Sequence, residues 1–429
     1  MQSRHHRTLS LQILACAAWF LSPVALMAQT PVGSAFLVNP PSVGTQDEPD
    51  LQFDKNGNLW LAWLDGIGAD ADFDRLMARA VSPQGELGPV LVLADTSDSP
   101  FTPVDLPLIL PKPDGSLEVF YVRSDTNGFA LVYGQRFSTA GVPLADRFLV
   151  SPAPPASFLR TTAALLPNGS VFLANLGALC EICSKLKVSL YGRVLASDDS
   201  LASSFFQIPR RLSGVSGNGA RNVAADGLGN VTVVWSVGNG DPDARDYSDI
   251  HARRFSAAGV PISQEFVVNT TLPGTQGDAS VAADATGDFV VVWQTKFPGG
   301  LLRSIFGQRF SKSGEKVGPE FRVNEDRMEK DFVPQVAMDR DGNFVVAWES
   351  FSPARPDCIQ IRARLYRNGR PAGPEFPAAP GDAACGEAPK VAFGPNGVFA
   401  IVWHVELGSS PDAGVDFDVY AARFSASLN

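Results

Sequence analysis

An apolar run opened by glycine recurs seven times along the chain, and this recurrence limits the possible folds more than any other property. The copies begin at Gly57 (GNLWLAW), Gly115 (GSLEVFY), Gly169 (GSVFLAN), Gly229 (GNVTVVW), Gly287 (GDFVVVW), Gly342 (GNFVVAW) and Gly397 (GVFAIVW). Their spacings are 58, 54, 60, 58, 55 and 55 residues. A near-constant period of this length marks a repeat architecture.

Each copy has the same companions. A short apolar segment precedes the glycine, as at 281–283 or 336–338, and a turn such as 339–342 (DRDG) joins the two. After the aromatic residue comes a variable loop, then a segment like 305–311 (IFGQRFS) or 132–138 (VYGQRFS). A turn containing Gly314 or Gly141 follows, and the unit closes on 320–324 (EFRVN) or 265–269 (EFVVN). Short runs rich in Val, Ile and Phe, bounded by Gly, Asp, Asn and Ser, are strand and hairpin signals. Four of them per unit make an antiparallel meander, and its continuously apolar middle strands need cover on both faces. Radial packing of equivalent sheets supplies that cover, so the chain is predicted to be an all-β, seven-bladed β-propeller of four-stranded antiparallel blades.

The ends of the chain fit this reading. The 32 residues after Gly397 finish on 419–425 (VYAARFS), a third strand without a fourth, while 34–39 (SAFLVN) form a fourth strand without a unit. Together with the 23 residues from Ser34 to Gly57 they complete one 55-residue period. The N-terminal strand is therefore expected to complete the last blade, which would leave no exposed sheet edge.

Residues 1–28 are set apart from the fold. Arg4 and Arg7 precede an apolar stretch over 9–21, Ser22 and Pro23 break it, and 25–28 (ALMA) offers a small residue for cleavage. This is the pattern of a signal peptide, which leaves residues 29–429 as a single propeller domain and places the protein outside the cytoplasm, in the periplasm or secreted. The 429-residue chain carries a net charge of −10, and without Arg4 and Arg7 the balance is 33 basic against 45 acidic side chains. A surface of that sign repels phosphate backbones and anionic lipid, so neither nucleic-acid binding nor membrane insertion is expected. The mature chain is expected to be a monomer. It keeps only His251 and His404, too few for a multi-histidine metal site.

The unit pattern resembles that of uncharacterised exported bacterial repeat proteins, whose units read VN…P.VA.D..G.FVV.W…YGQRF…G…G.EF.VN. The match is clearest between Gly229 and Phe376, and weaker where Tyr121 and Asn175 replace the tryptophan. The resemblance implies a propeller fold and export, and no reaction.

In a propeller the first-to-second and third-to-fourth turns share one face, and here both are short. The second-to-third loops and the connections between blades share the other face and vary in length and sequence, so function is expected there. Acidic clusters fall on it: 65–74 with Asp70 and Asp72, 241–249 with Asp241, Asp243 and Asp246, and 411–418. Such carboxylates could chelate calcium, but Asp74, Asp249 and Asp418 share one repeat position before the third strand, which favours turn capping. No metal or other cofactor is expected.

Seven residues before each glycine, the innermost strand carries Asp50, Leu108, Thr162, Asn222, Ser280, Gln335 and Lys390. These are the candidates for the channel mouth, with alanines two positions on suiting a crowded axis. A glycosidase needs two carboxylates, and this ring offers only Asp50, with Asp105 and Asp278 slightly above. That shortage favours a non-catalytic scaffold that binds a protein or glycan partner through its variable acidic face. The alternative is a carbohydrate-active hydrolase or lyase using Asp50, Asp105 and Glu406. His404, two residues before Glu406, forms the one acid-base constellation, although a lone loop histidine is usually solvated.

Trp63, Trp235, Trp293, Trp348 and Trp403 repeat at one strand-end position, which favours packing between blades over sugar stacking. Of the four mature cysteines, Cys358 and Cys385 fall in neighbouring loops and are expected to form a disulfide. Cys180 and Cys183 (CEIC) could close on each other as a staple.

Overall fold

The computed structural model describes residues 29–40, 45–66, 75–95, 103–124, 129–151, 156–179, 187–209, 215–216, 222–238, 248–270, 274–298, 302–325, 330–351, 358–379, 385–410 and 414–426. They form an all-β, propeller-like array of four-stranded antiparallel sheets, as the repeat predicts. Unit 1 runs Gln46–Phe53, Leu59–Asp65, Arg75–Val81 and Leu91–Asp95, and unit 5 runs Thr275–Ala283, Phe289–Lys296, Arg303–Phe310 and Lys316–Arg322. In unit 6 the inner strands are Lys330–Met338 and Phe344–Phe351. Unit 7 contributes Glu387–Phe393, Val398–Ser410 and Gly414–Ser425. Its outer place is taken from the N-terminus, where Phe36 pairs with Ala421 and Leu37 with Tyr420. Among the described residues no helix is long and apolar enough to cross a membrane.

The repeated sequence features have local physical causes. All seven turn glycines have φ between 69° and 101°, a region that L side chains enter only with strain. Beside them an aspartate closes the turn: Asp54 Oδ1 accepts the Asn56 and Asn58 amides at 2.8 and 2.9 Å, and Asp226 and Asp339 do the same in their units. The glycine of the YGQRF segment is required by a ring above it. A Cβ at Gly307 would stand 2.7 Å from Phe321 Cζ, and one at Gly134 would stand 2.6 Å from Phe148 Cζ.

The core is divided among the interfaces between units. Among the described residues, each of seven apolar clusters draws on two consecutive units, and one joins Leu51, Leu59 and Trp63 of unit 1 to Ala400, Val402 and Val419 of unit 7. Trp63, Trp235, Trp293, Trp348 and Trp403 lie in these clusters, each at most 2% exposed, which is the packing role expected of them. Burial of such side chains is worth about 1.5–3 kcal/mol each. Among the described residues, first strands line a cavity of about 260 Å³, with Ala164, Ala224, Ala282, Ala337 and Ala392 in its lining as expected for a crowded axis.

Candidate active site

The first strands break register just before the channel. The shift falls between Asp47 and Asp50, Gly277 and Ser280, Phe332 and Gln335, and Glu387 and Lys390. Within these bulges Glu48, Asp278, Val333 and Ala388 take φ values of 52°, 51°, 43° and 50°, each nine residues before its turn glycine. Bulges re-aim side chains, and backbone strain of this kind concentrates at functional sites.

The residues of the expected ring bond between neighbouring first strands. Asp50 is 4% exposed, and its Oδ2 accepts the Ile109 amide of the next unit at 3.0 Å. Ser280 Oγ accepts the Val336 amide at 3.2 Å, and the Thr162 hydroxyl meets the Asn222 side-chain oxygen. Gln335 is also buried, and Lys390 is half-buried. Asp50, Thr162 and Ser280 therefore tie one first strand to the next. Charged residues of several units also interact with one another, and among them Glu48, Arg160 and Asp278 share the position nine before the glycine.

Glu349 and His404 complete this group. Each directly follows its unit's tryptophan, so they occupy one repeat position in consecutive units. The Ala388 amide, within a bulge, donates to Glu349 Oε1 at 2.8 Å. Burial pushes the Glu349 carboxyl up to about 7; the charges of Glu387 and Asp278 push the same way, against the Ala388 hydrogen bond and His404. The Glu48 carboxyl is also raised, by burial and then by Asp47, while Lys390, His404 and Arg160 pull it down. His404 lies in a strand, is 7% exposed, and pairs through Nδ1 with the Asp47 carboxylate. Burial opposes its positive charge, but the close Asp47 carboxylate and the charges of Glu48 and Glu387 raise its pKa overall. The expectation of a solvated loop histidine is thus corrected. Glu406, two residues on, is exposed.

Sequence reasoning missed Asp47, Glu48, Arg160, Glu349 and Glu387. The available signal was the residue after the tryptophan, where seven otherwise similar copies read Leu64, Val122, Leu176, Ser236, Gln294, Glu349 and His404. A group that keeps a carboxylic acid protonated near neutrality, beside further carboxylates and an imidazole, can donate and accept protons at one substrate.

The remaining candidates fall as follows. Asp70, Asp72, Asp241, Asp243, Asp246, Cys180 and Cys183 lie outside the described residues. Cys358 and Cys385 form the expected disulfide, and the next residue, Gly386, donates its amide to Ile359 O at 2.7 Å. Of the three aspartates expected to cap turns, Asp74 also lies outside the described residues, and Asp249 and Asp418 accept the side-chain amides of Asn269 and Asn39 at 2.9 and 2.8 Å. Among the described residues no group of three or more His, Cys, Asp or Glu is disposed to hold a metal ion.

No family model matches the sequence, and no curated protein matches it. Among solved structures, the chain is similar to polysaccharide lyase Uly1, with a TM-score of 0.57 and 10% identity over 91% of each chain. It is similar to an ulvan lyase, with a TM-score of 0.51 and 10% identity over 92% of this chain and 94% of that one. It is also similar to a protein of unknown function from Dyadobacter fermentans, with a TM-score of 0.54 and 12% identity over 93% and 99% of the two chains. At these identities the likeness is one of fold. Polysaccharide-cleaving enzymes among these folds, together with the acid-base group at the mouth, overturn the expectation of a non-catalytic scaffold and fit the carbohydrate-active alternative.

Proposed function

We propose that the chain is an exported enzyme that cleaves glycosidic bonds of a polysaccharide, by hydrolysis or by elimination, at the mouth of a closed seven-bladed propeller. Residues 1–28 are its export signal, and the Cys358–Cys385 disulfide suits an oxidising compartment. The apolar cluster between units 7 and 1 supports the closed ring.

The observation that carries the catalytic reading is Glu349, whose carboxyl is held protonated to about pH 7 where charged side chains from units 1, 3, 5, 6 and 7 interact. Hydrolysis and elimination both expel a sugar oxygen, which must receive a proton as the bond breaks. Glu349 is the donor. Similarity in fold to polysaccharide lyases supports the same reading. The cations Arg160 and Lys390 beside Glu48 give the mouth means to hold an acidic sugar despite its many carboxylates.

The test is turnover of a panel of neutral and uronate-containing polysaccharides, followed by new reducing ends and by the ultraviolet absorbance of an unsaturated product. New reducing ends alone indicate hydrolysis, and both signals indicate elimination. Cleavage lost in Glu349→Gln, with folding intact, supports the assignment. An active Glu349→Gln protein refutes it.

A further inference from the structure

The contact between His404 and Asp47 joins unit 7 to unit 1 at the mouth. His404 Nδ1 faces the Asp47 carboxylate, which leaves Nε2 on the opposite edge of the ring. The Phe417 ring lies 4.8 Å from the imidazole, tilted by 39°, and restricts its rotation. The backbone beside it is equally tight: a side chain at Gly386 would collide with the His404 carbonyl, and the neighbouring Cys385 is held by its disulfide. Asp47 is itself placed by the bulge, and its Oδ1 accepts the Glu48 amide at 2.6 Å. A carboxylate that fixes one ring nitrogen selects the tautomer and makes the other a stronger base.

We propose that His404 is the general base of the proposed cleavage and that Asp47 is its positioning residue, with Glu349 supplying the proton on the other side of the scissile bond. This rests on the reading of the mouth as a glycosidic-bond-cleaving site. In hydrolysis, neutral His404 takes a proton through Nε2 from a water whose oxygen bonds to the anomeric carbon. As the glycosidic C–O bond breaks, the leaving oxygen takes the Glu349 proton. In elimination His404 instead takes the carbon-bound proton beside the uronate carboxyl, a carbon–carbon double bond forms, and the same C–O bond breaks. Either route ends with His404 protonated and Glu349 ionised, and one proton passed from the imidazole to the carboxylate restores both. The charged groups facing the imidazole are Asp47 and Glu48 from the first strand of unit 1, Glu387 from that of unit 7, and Glu349 from the second strand of unit 6.

The proposal is tested by NMR titration of the His404 ring in the mature protein carrying His251→Gln, which removes the other imidazole, alongside kinetics on the best glycan of the panel. Asp47→Asn should lower the His404 midpoint by about 1–3 units, as expected for loss of a close opposite charge. It should lower kcat about 10²–10⁴-fold, the usual contribution of a general base, with KM little changed. Asp47→Glu should recover part of both. An unmoved midpoint in Asp47→Asn overturns the pairing whatever the activity. A moved midpoint with undiminished kcat overturns the catalytic role, and so does an active, folded His404→Gln. A wild-type protein that cleaves no glycan refutes both the base role and the wider enzymatic reading. If Glu349→Gln is active while Asp47→Asn behaves as expected, only the donor assignment fails.

Discussion

Asn39 donates its side-chain amide to Asp418 Oδ1 at 2.8 Å, across 379 residues of sequence, and its own Oδ1 accepts the Val419 amide at 2.8 Å. Asn269 makes the same pair of bonds within unit 4, to Asp249 at 2.9 Å and from the Ile250 amide at 2.8 Å. The N-terminal strand therefore does in unit 7 what an internal fourth strand does elsewhere. Asn39 is 2% exposed, and removing it would leave the Val419 amide without this acceptor. Asn39→Ala should lower stability by about 1–3 kcal/mol, the cost of a buried group left unsatisfied. Urea denaturation of the mature protein checks this, and an unchanged midpoint would mean that the strand does not hold the last unit.

The disulfide closes a loop between residues 27 apart, which in the chain-entropy model is worth about 3.5 kcal/mol. Replacing both cysteines with serine should lower the melting temperature. It should also lower kcat, because the same connection leads through Gly386 to Glu387 and to Ala388, whose amide holds Glu349. Loss of stability without loss of rate would separate the staple from the site.

The Glu349 carboxyl, raised to about 7, sets the sign of the pH dependence. A proton donor works in its protonated form, so kcat should fall as pH rises through about 7. If His404 is the base, kcat should also fall toward acid as the imidazole takes up its proton, giving a bell-shaped profile. A rate that keeps rising from pH 6 to 9 would contradict the donor assignment.

On the opposite face, Lys112 bridges units 2 and 3, pairing with Glu118 at 3.5 Å and with Asp199 at 2.8 Å. Burial, and then the hydrogen bond and charge of Asp199, raise Glu118 to about 8. A pKa raised on folding contributes stability that is complete below the unfolded value of 4.5 and is lost as pH rises through 8. Glu118→Gln should therefore compare more favourably with wild type at pH 9 than at pH 5, by a few kcal/mol at most. Equal differences at the two pH values would show that Glu118 titrates normally.

Gly307 lies under the Phe321 ring, with 2.7 Å between an added Cβ and Cζ. Gly307→Val should destabilise by about 1–3 kcal/mol, the range for overpacking. Gly314, which has nothing within 4 Å of its Cβ position, should tolerate added volume and be penalised only for its φ of 85°.

The sequence alone determined the parts of this protein that repeat. Seven turn glycines, the buried tryptophans, the alanine lining and the pairing of residues 36–37 with the last unit all follow from a period of about 55 residues, because equivalent environments select equivalent side chains. The Cys358–Cys385 pair was legible for the same reason, since the period places both loops on one rim. Tertiary structure decided what the repeat does not encode. A bulge is a register shift between strands, and nothing in the residues 47–50 or 277–280 announces it; yet Asp50 and Ser280 are buried at its end, and Glu48 and Asp278 within it join the charged group. His404 looked solvated because its partners, Asp47 and Glu48, are more than 350 residues away in sequence. The protonation of Glu349 depends on burial and on charges brought from other units. Those are properties of the assembled mouth, where side chains distant in sequence share one poorly solvated space.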